Sequence, residues 1–202
     1  VRQKRLIIYV CIFMILLLPL GSLFAQEEDT EEIPEVSYAL GDQIFAVNAG
    51  LFVPLFFFGG GSAVSTNLSL GGVASLEWNA FVTEHLTLGG ELAGSFSFSP
   101  LGRVLAVIPV TFKLGYFFLP YPFEIPIYLG TGVNFITLED SLYIGLILKP
   151  GASFYWNING TWAAGLNVVY WFSPQWYTRD ELVSQNRYGN FLEISLSALY
   201  HF

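Results

Sequence analysis

The stretch from Asn190 to Phe202 constrains this chain more than any other. With period two, Leu192, Ile194, Leu196, Ala198, Tyr200 and Phe202 fall on one side, and Glu193, Ser195, Ser197 and His201 on the other. Successive side chains of a strand point to opposite faces, so this is a strand with one apolar and one polar face. A strand of that kind, closed by an aromatic residue, suits a barrel whose apolar face meets lipid and whose polar face meets a lumen.

The pattern recurs along the chain. From Gln43 onward no apolar run approaches the roughly eighteen residues that a membrane-spanning helix requires. Eight alternating segments appear instead, near 43–54, 68–81, 86–98, 104–117, 123–136, 142–156, 161–172 and 190–202. Each supplies the roughly nine to eleven residues of a tilted spanning strand. In the third, Leu86, Leu88, Leu92, Phe96 and Phe98 oppose Thr87, Gly89, Glu91, Ala93, Ser95 and Ser97. In the fourth, Ile108, Val110, Phe112, Leu114 and Tyr116 oppose Pro109, Thr111, Lys113 and Gly115. Charged residues inside strands lie on the small, polar face. A lipocalin-like soluble barrel would reverse this, and the many Gly and small polar residues predict a lumen in which an empty apolar pocket is hard to build. Aromatic residues at segment ends predict two interfacial girdles: Trp78, Phe81, Tyr116 to Phe118, Tyr121, Phe123, Trp156, Trp162, Tyr200 and Phe202 at one rim, and Trp171, Phe172, Trp176 and Tyr177 at the other. The expected fold is all-β, an eight-stranded antiparallel transmembrane β-barrel over residues 43–202.

The N-terminus predicts the same destination. Arg2, Lys4 and Arg5 precede the hydrophobic stretch Leu6 to Leu20, and Gly21 to Ala25 form a small-residue exit. This is the plan of a cleavable secretory signal peptide over residues 1–25. An uncleaved anchor is the alternative, because Leu23 is larger than such an exit prefers. Cleavage after Ala25 leaves five Lys or Arg against sixteen Asp or Glu, a net charge of −11. Nucleic acid is therefore excluded as a partner, since affinity for phosphate comes from clustered basic residues. Acidic residues crowd residues 26–42, which read as a disordered periplasmic leader. Cys11 is the only cysteine and lies within the signal segment, so the mature chain offers no thiol. His85 and His201 lack a partnered serine and carboxylate, no metal-ligand spacing occurs, and Gly59-Gly60-Gly61 has no following lysine. Neither catalysis, a cofactor nor a metal is expected.

Connection lengths predict the orientation. Val82 to His85, Phe118 to Pro122 and Asn157 to Gly160 are tight turns, whereas Leu55 to Asn67 and Ser173 to Gly189 are long. Short periplasmic turns and longer external loops place the long pair outside the cell. Phe56, Phe57, Phe58, Trp176 and Tyr177 are then the expected contact residues for an extracellular ligand. The three phenylalanines can equally extend a lipid-facing strand. An eight-stranded lumen is about wide enough to be filled by side chains. A turn near Glu84 sets Glu77 opposite Glu91, and one near Gly102 sets Glu91 opposite Lys113. The other wall brings Lys149 near Asn167 and Asn167 near Glu193. Glu77, Glu91 and Lys113, with Lys149, Asn167 and Glu193, are thus expected to form two ion-pair ladders that fill the barrel.

Residues 43–202 resemble the small eight-stranded outer-membrane proteins of the OmpA, OmpX and OmpW type, and Ala198 to Phe202 look like the C-terminal signal read by the barrel-assembly machinery. The resemblance implies outer-membrane lipid and that machinery as partners, with Tyr200 and Phe202 as the assembly signal. The expected protein is a monomeric bacterial outer-membrane barrel, structural or surface-interacting through its loops, with a plugged lumen. A narrow channel for small polar or hydrophobic solutes is the alternative function.

Overall fold

The computed structural model describes residues 37–59, 61–138, 141–176 and 186–202. The expected signal peptide, residues 26–36 of the expected leader and Tyr177 lie outside them. Among the described residues nine strands follow in order: β1 (Gln43–Gly59), β2 (Ser62–Ser65), β3 (Gly71–Phe81), β4 (Leu86–Phe98), β5 (Val104–Phe118), β6 (Phe123–Leu138), β7 (Ser141–Asn157), β8 (Trp162–Gln175) and β9 (Arg187–His201). All neighbours pair antiparallel, and β1 also pairs with β9, from Ile44↔His201 to Phe58↔Tyr188. Eight strands thus close on themselves, and closure removes the exposed sheet edges that lipid would not tolerate. The ninth, β2, folds back on the end of β1.

Alternation decides which side each residue faces. Leu92, Phe96, Val110, Phe112, Leu114, Ile127, Leu129, Leu166 and Leu196 are all exposed on the outer wall, while Glu91, Ser95, Thr111, Lys113, Asn167 and Ser195 are buried in the lumen. Trp78, Tyr116, Phe118, Tyr121, Trp156, Trp162 and Phe202 stand on the outer wall near the end that carries the described chain ends, hereafter the terminal end. Phe81, Phe117 and Trp171 correct the girdle assignment. Each has the inward parity of its strand and is buried, at 1%, 3% and 0% exposure. Proximity to other aromatics suggested a girdle, but a shift of one residue changes the face.

The connection expected over Leu55 to Asn67 is mostly strand. β1 runs on to Gly59, and β2 pairs with it from Phe56↔Ser65 to Gly59↔Ser62. The register with β9 shifts between Pro54 and Phe56. Proline has no amide proton for a ladder, so an irregularity is the natural way to pass it. Asn190 completes the repair: its Nδ2 donates to the Phe56 carbonyl at 3.2 Å and to the Tyr188 carbonyl at 2.8 Å. The Tyr170 hydroxyl donates to Asn190 Oδ1. This polar side chain is 4% exposed despite its outward parity. At the opposite end of the closing connection, β8 reaches Gln175 and β9 begins at Arg187, so the long Ser173 to Gly189 loop is also shorter than expected.

Closing the sheet requires close backbone approach between β1 and β9. A Cβ placed on Gly50 would fall onto the Ile194 carbonyl and the Ser195 backbone, neither of which can swing aside. Gly50→Val should therefore weaken closure by about 1–3 kcal/mol, the cost of overpacking a fitted interior. Urea unfolding in lipid vesicles, followed by the heat-dependent gel shift of a closed barrel, measures it.

Candidate functional site

The lumen is stacked in three layers. In the middle, Lys113 Nζ lies 2.6 Å from Glu77 Oε2 and 3.6 Å from the centre of the Tyr128 ring. Lys149 Nζ lies 2.6 Å from Glu91 Oε1 and 3.7 Å from Glu193 Oε2, with its charge 4.0 Å from the centre of the Trp171 ring. The carboxylates are held from their other sides too. Trp171 Nε1 and Ser195 Oγ each donate to Glu193 at 2.9 Å, Asn79 Nδ2 donates to Glu77 at 2.6 Å, and Thr111 Oγ1 donates to Glu91 at 3.4 Å. Burying an ion is tolerable only when a counter-ion and hydrogen bonds replace its water, and each of these five groups has both.

The partners differ from the expected ladders. Glu77 does stand opposite Glu91, but Glu91 faces Thr111 across β4–β5 while Lys113 faces Gly89. Lys113 instead reaches past β4 to Glu77. Asn167 stands opposite Ser153 and Ser195, not Lys149 and Glu193. Its Nδ2 donates to Asn48 Oδ1 at 2.8 Å and to Ser195 Oγ at 3.4 Å, and its Oδ1 accepts from the Tyr155 hydroxyl at 3.2 Å. Lys149 crosses the lumen from β7 to β4, so Glu91 joins Lys149 and Glu193 while Glu77 pairs with Lys113. A register offset of two residues keeps every side chain on its face and changes only its partner, which is why alternation located these residues but not their pairing.

At the end away from the termini, hereafter the far end, the lumen is apolar. Phe52, Val107, Ile136, Ile147, Val169, Trp171 and Phe191 form a buried cluster with Phe57 and Tyr143 packed against it. A cavity of about 400 Å³ opens there, walled by Phe57, Leu105, Val107, Ile136, Tyr143 and Phe191. This corrects the expectation of a lumen without an apolar pocket. Ser141, Ser173 and Gly189 on the same walls leave the space that the larger side chains enclose. The stretch Val104 to Val110 carried the signal, for it is apolar on both parities: Val104, Ile108 and Val110 are exposed on the outer wall, while Leu105 and Val107 turn the luminal face apolar as well.

The terminal end is stoppered from outside the strands. Tyr38, within the expected leader, stacks on Phe81 with ring centres 3.8 Å apart and donates to Glu124 Oε2 at 2.7 Å. Asn157 Nδ2 donates to Glu124 Oε1 at 3.0 Å, and His201 Nε2 lies 3.3 Å from the same carboxylate. Burial, and then the adjacent Glu124 charge, push the Tyr38 phenol above its ordinary range, so it stays a proton donor.

The expected surface contacts divide. Phe56, Phe58 and Trp176 are exposed, whereas Phe57 turns inward, its ring 6.1 Å from that of Phe191. Tyr200 packs against Trp162 at 4.8 Å and Phe202 at 5.8 Å on the outer wall. Among the described residues no group of three His, Cys, Asp or Glu could hold a metal ion.

Lys149 serves two carboxylates and Lys113 one, which ranks their removal. Lys149→Met should cost about 3–5 kcal/mol by leaving buried charge unpaired, and Lys113→Met somewhat less. Adding Glu91→Gln to Lys149→Met should recover part of the loss, read by urea unfolding in vesicles. At the stopper, Tyr38→Phe should cost about 1 kcal/mol and Tyr38→Ala about 3 kcal/mol or more in the same assay.

A protein-family model matches residues 25–200. An uncharacterised protein of Borreliella burgdorferi is 24% identical over 147 residues, covering 62% of this chain and 69% of its own length. One of Treponema pallidum is 25% identical over 140 residues, covering 63% of this chain but 48% of itself, so the chain spans about half of that relative. Among solved structures, Neisserial surface protein A superposes with a TM-score of 0.60 at 10% identity, covering 80% of this chain and 97% of that one. The outer membrane protein OprG from Pseudomonas aeruginosa superposes with a TM-score of 0.50 at 14% identity, covering 84% and 100%. Such identities speak for the fold. The chain therefore belongs to the family whose model spans residues 25–200, and its fold is that of the small eight-stranded outer-membrane β-barrels.

Proposed function

We propose that the protein is a bacterial outer-membrane barrel that passes no solute through its lumen and acts at its outer surface. The observation that carries this reading is the Lys149 bridge. By joining Glu91 on one wall to Glu193 on the other, it spans the narrow lumen with a hydrogen-bonded network. Tyr38 and its partners form a second barrier at the terminal end. In this reading that end faces the periplasm, the leader ahead of Ser37 lies there, and the far end with the β1–β2 hairpin faces the exterior. Tyr200 and Phe202 serve the assembly machinery, and the barrel is a monomer in lipid. Phe56, Phe58 and Trp176, with the segment around 173–189, are the surface offered to an extracellular ligand. Glu77, Glu91 and Glu193 are occupied in neutralising lysines, which argues for a structural role and against catalysis.

Conductance of residues 26–202 refolded into a planar bilayer, after the gel shift has verified closure, tests the reading. A silent membrane is expected for the native barrel. The triple variant Tyr38→Ala/Lys149→Ala/Glu91→Ala should give discrete current steps, because it removes both barriers without leaving the two principal charges of the bridge unpaired. Reproducible steps from the native barrel would instead establish the channel alternative.

A further inference from the structure

We infer that the outer wall of this barrel is matched to a hydrocarbon layer about 30 Å thick, deeper than the roughly 25 Å apolar band usual for barrels of this kind. The clearest measure lies along β8. Trp162 opens that strand, Trp176 directly follows its end, and both are exposed on the outer wall. Indole rings settle at the boundary between membrane and water, so such a pair brackets the layer between them. At roughly 3.3 Å per residue and a strand tilt of about 35–45°, their separation corresponds to about 33–38 Å of height. Leu142 to Trp156 on β7 and Val104 to Phe118 on β5 have the same length, and every outward position in both is apolar. On the opposite side of the barrel β1 runs nearly as far, from Phe45 to Phe58.

The aliphatic part of the wall separates hydrocarbon from headgroups. On β7 the stretch from Leu142 to Phe154, inside the Trp156 ring, already covers about 28–32 Å by the same rise and tilt. Leu142 and Ile144, at 61% and 57% exposure, are as open as Phe112 at mid-wall, at 56%, so no described part of the chain covers them. Water or headgroups against these side chains would leave apolar surface wet that immersion removes. The hydroxyl of Tyr170, in the outward row of β8, donates to Asn190 Oδ1 and so presents no unpaired donor to lipid. Charge returns only at Arg103, just before Val104, and in the sequence at Glu139 and Asp140, just before Ser141. The boundary of the hydrocarbon therefore lies at the far tips of these strands. Acyl chains are the occupant, because Leu142 and Ile144 continue without a break the wall that already faces them.

Refolding of the full chain into phosphatidylcholine vesicles whose monounsaturated chains run from fourteen to twenty-two carbons tests the match, since the series spans layers thinner and thicker than about 30 Å. The urea midpoint of unfolding is expected to be highest in the bilayers nearest that thickness. It should fall by about 1 M or more in the thinnest, where every ångström of mismatch carries a small cost. Leu142→Asn/Ile144→Asn, which shortens the apolar wall, should move the maximum to thinner bilayers, and the gel shift shows whether this variant closes. A bimane label on Ile144→Cys, in a chain that also carries Cys11→Ser, gives an independent reading of depth. Bromine on the acyl chains should quench it, and iodide in the water should not. A maximum in the thinnest bilayers, an unmoved maximum in the closed double variant, quenching by iodide, or shielding from both quenchers by a second copy would each overturn the inference. None of these readings depends on whether the lumen conducts or on what the loops bind.

Discussion

The Lys149 ammonium is the interaction on which the interior depends. An eight-stranded barrel leaves space for side chains and little else, and the strands that build it must bring some polar groups inward to keep lipid outside. Once Glu91 and Glu193 are inside, their charges need compensation within a few ångströms. Lys149 provides it for both, and in doing so ties β7 to β4 across the barrel axis. Hydrogen bonding in the strand ladders holds neighbours only. The bridge couples walls that the ladders leave independent.

Around that bridge the lumen is arranged as a polar band between two apolar ones. The arrangement follows from solvation. Ion pairs surrounded by water at the barrel mouths would be screened and weak, whereas the same pairs shielded by Phe52 and Trp171 on one side and Phe81 and Phe117 on the other act in a low dielectric. The apolar layers thereby strengthen the charges between them. They also make the two ends different: one is filled by Tyr38, and the other, among the described residues, holds a cavity.

Much of the fold was legible because lipid is an unforgiving solvent. Period two is obligatory when one face must be apolar, so the eight segments and the inward positions of Glu77, Glu91, Lys113, Lys149, Asn167 and Glu193 could be read directly. Their pairing could not, because register depends on tilt and turn geometry, to which alternation is blind beyond parity. Lys113 holds Glu77, one of the two carboxylates expected beside it, while Glu91 went to Lys149, and Asn167 found Asn48, whose approach depends on closure between β1 and β9. The apolar cavity was obscured by averaging. Small and glycine residues dominate the lumen face as a whole, but at the far end they sit among Leu105, Val107, Ile136 and Phe191. Tyr38 was hidden by its acidic neighbours, which marked its surroundings as solvated chain.

The seat of Tyr38 is assembled from parts distant in sequence. Phe81 ends β3, Phe117 belongs to β5, Glu124 to β6 and His201 to β9, so the site is incomplete until the final strand has met the first. The phenol preceding the first strand is consequently a detector of the last one. It can lock only into a finished cylinder, which ties the beginning of the chain to the success of its ending.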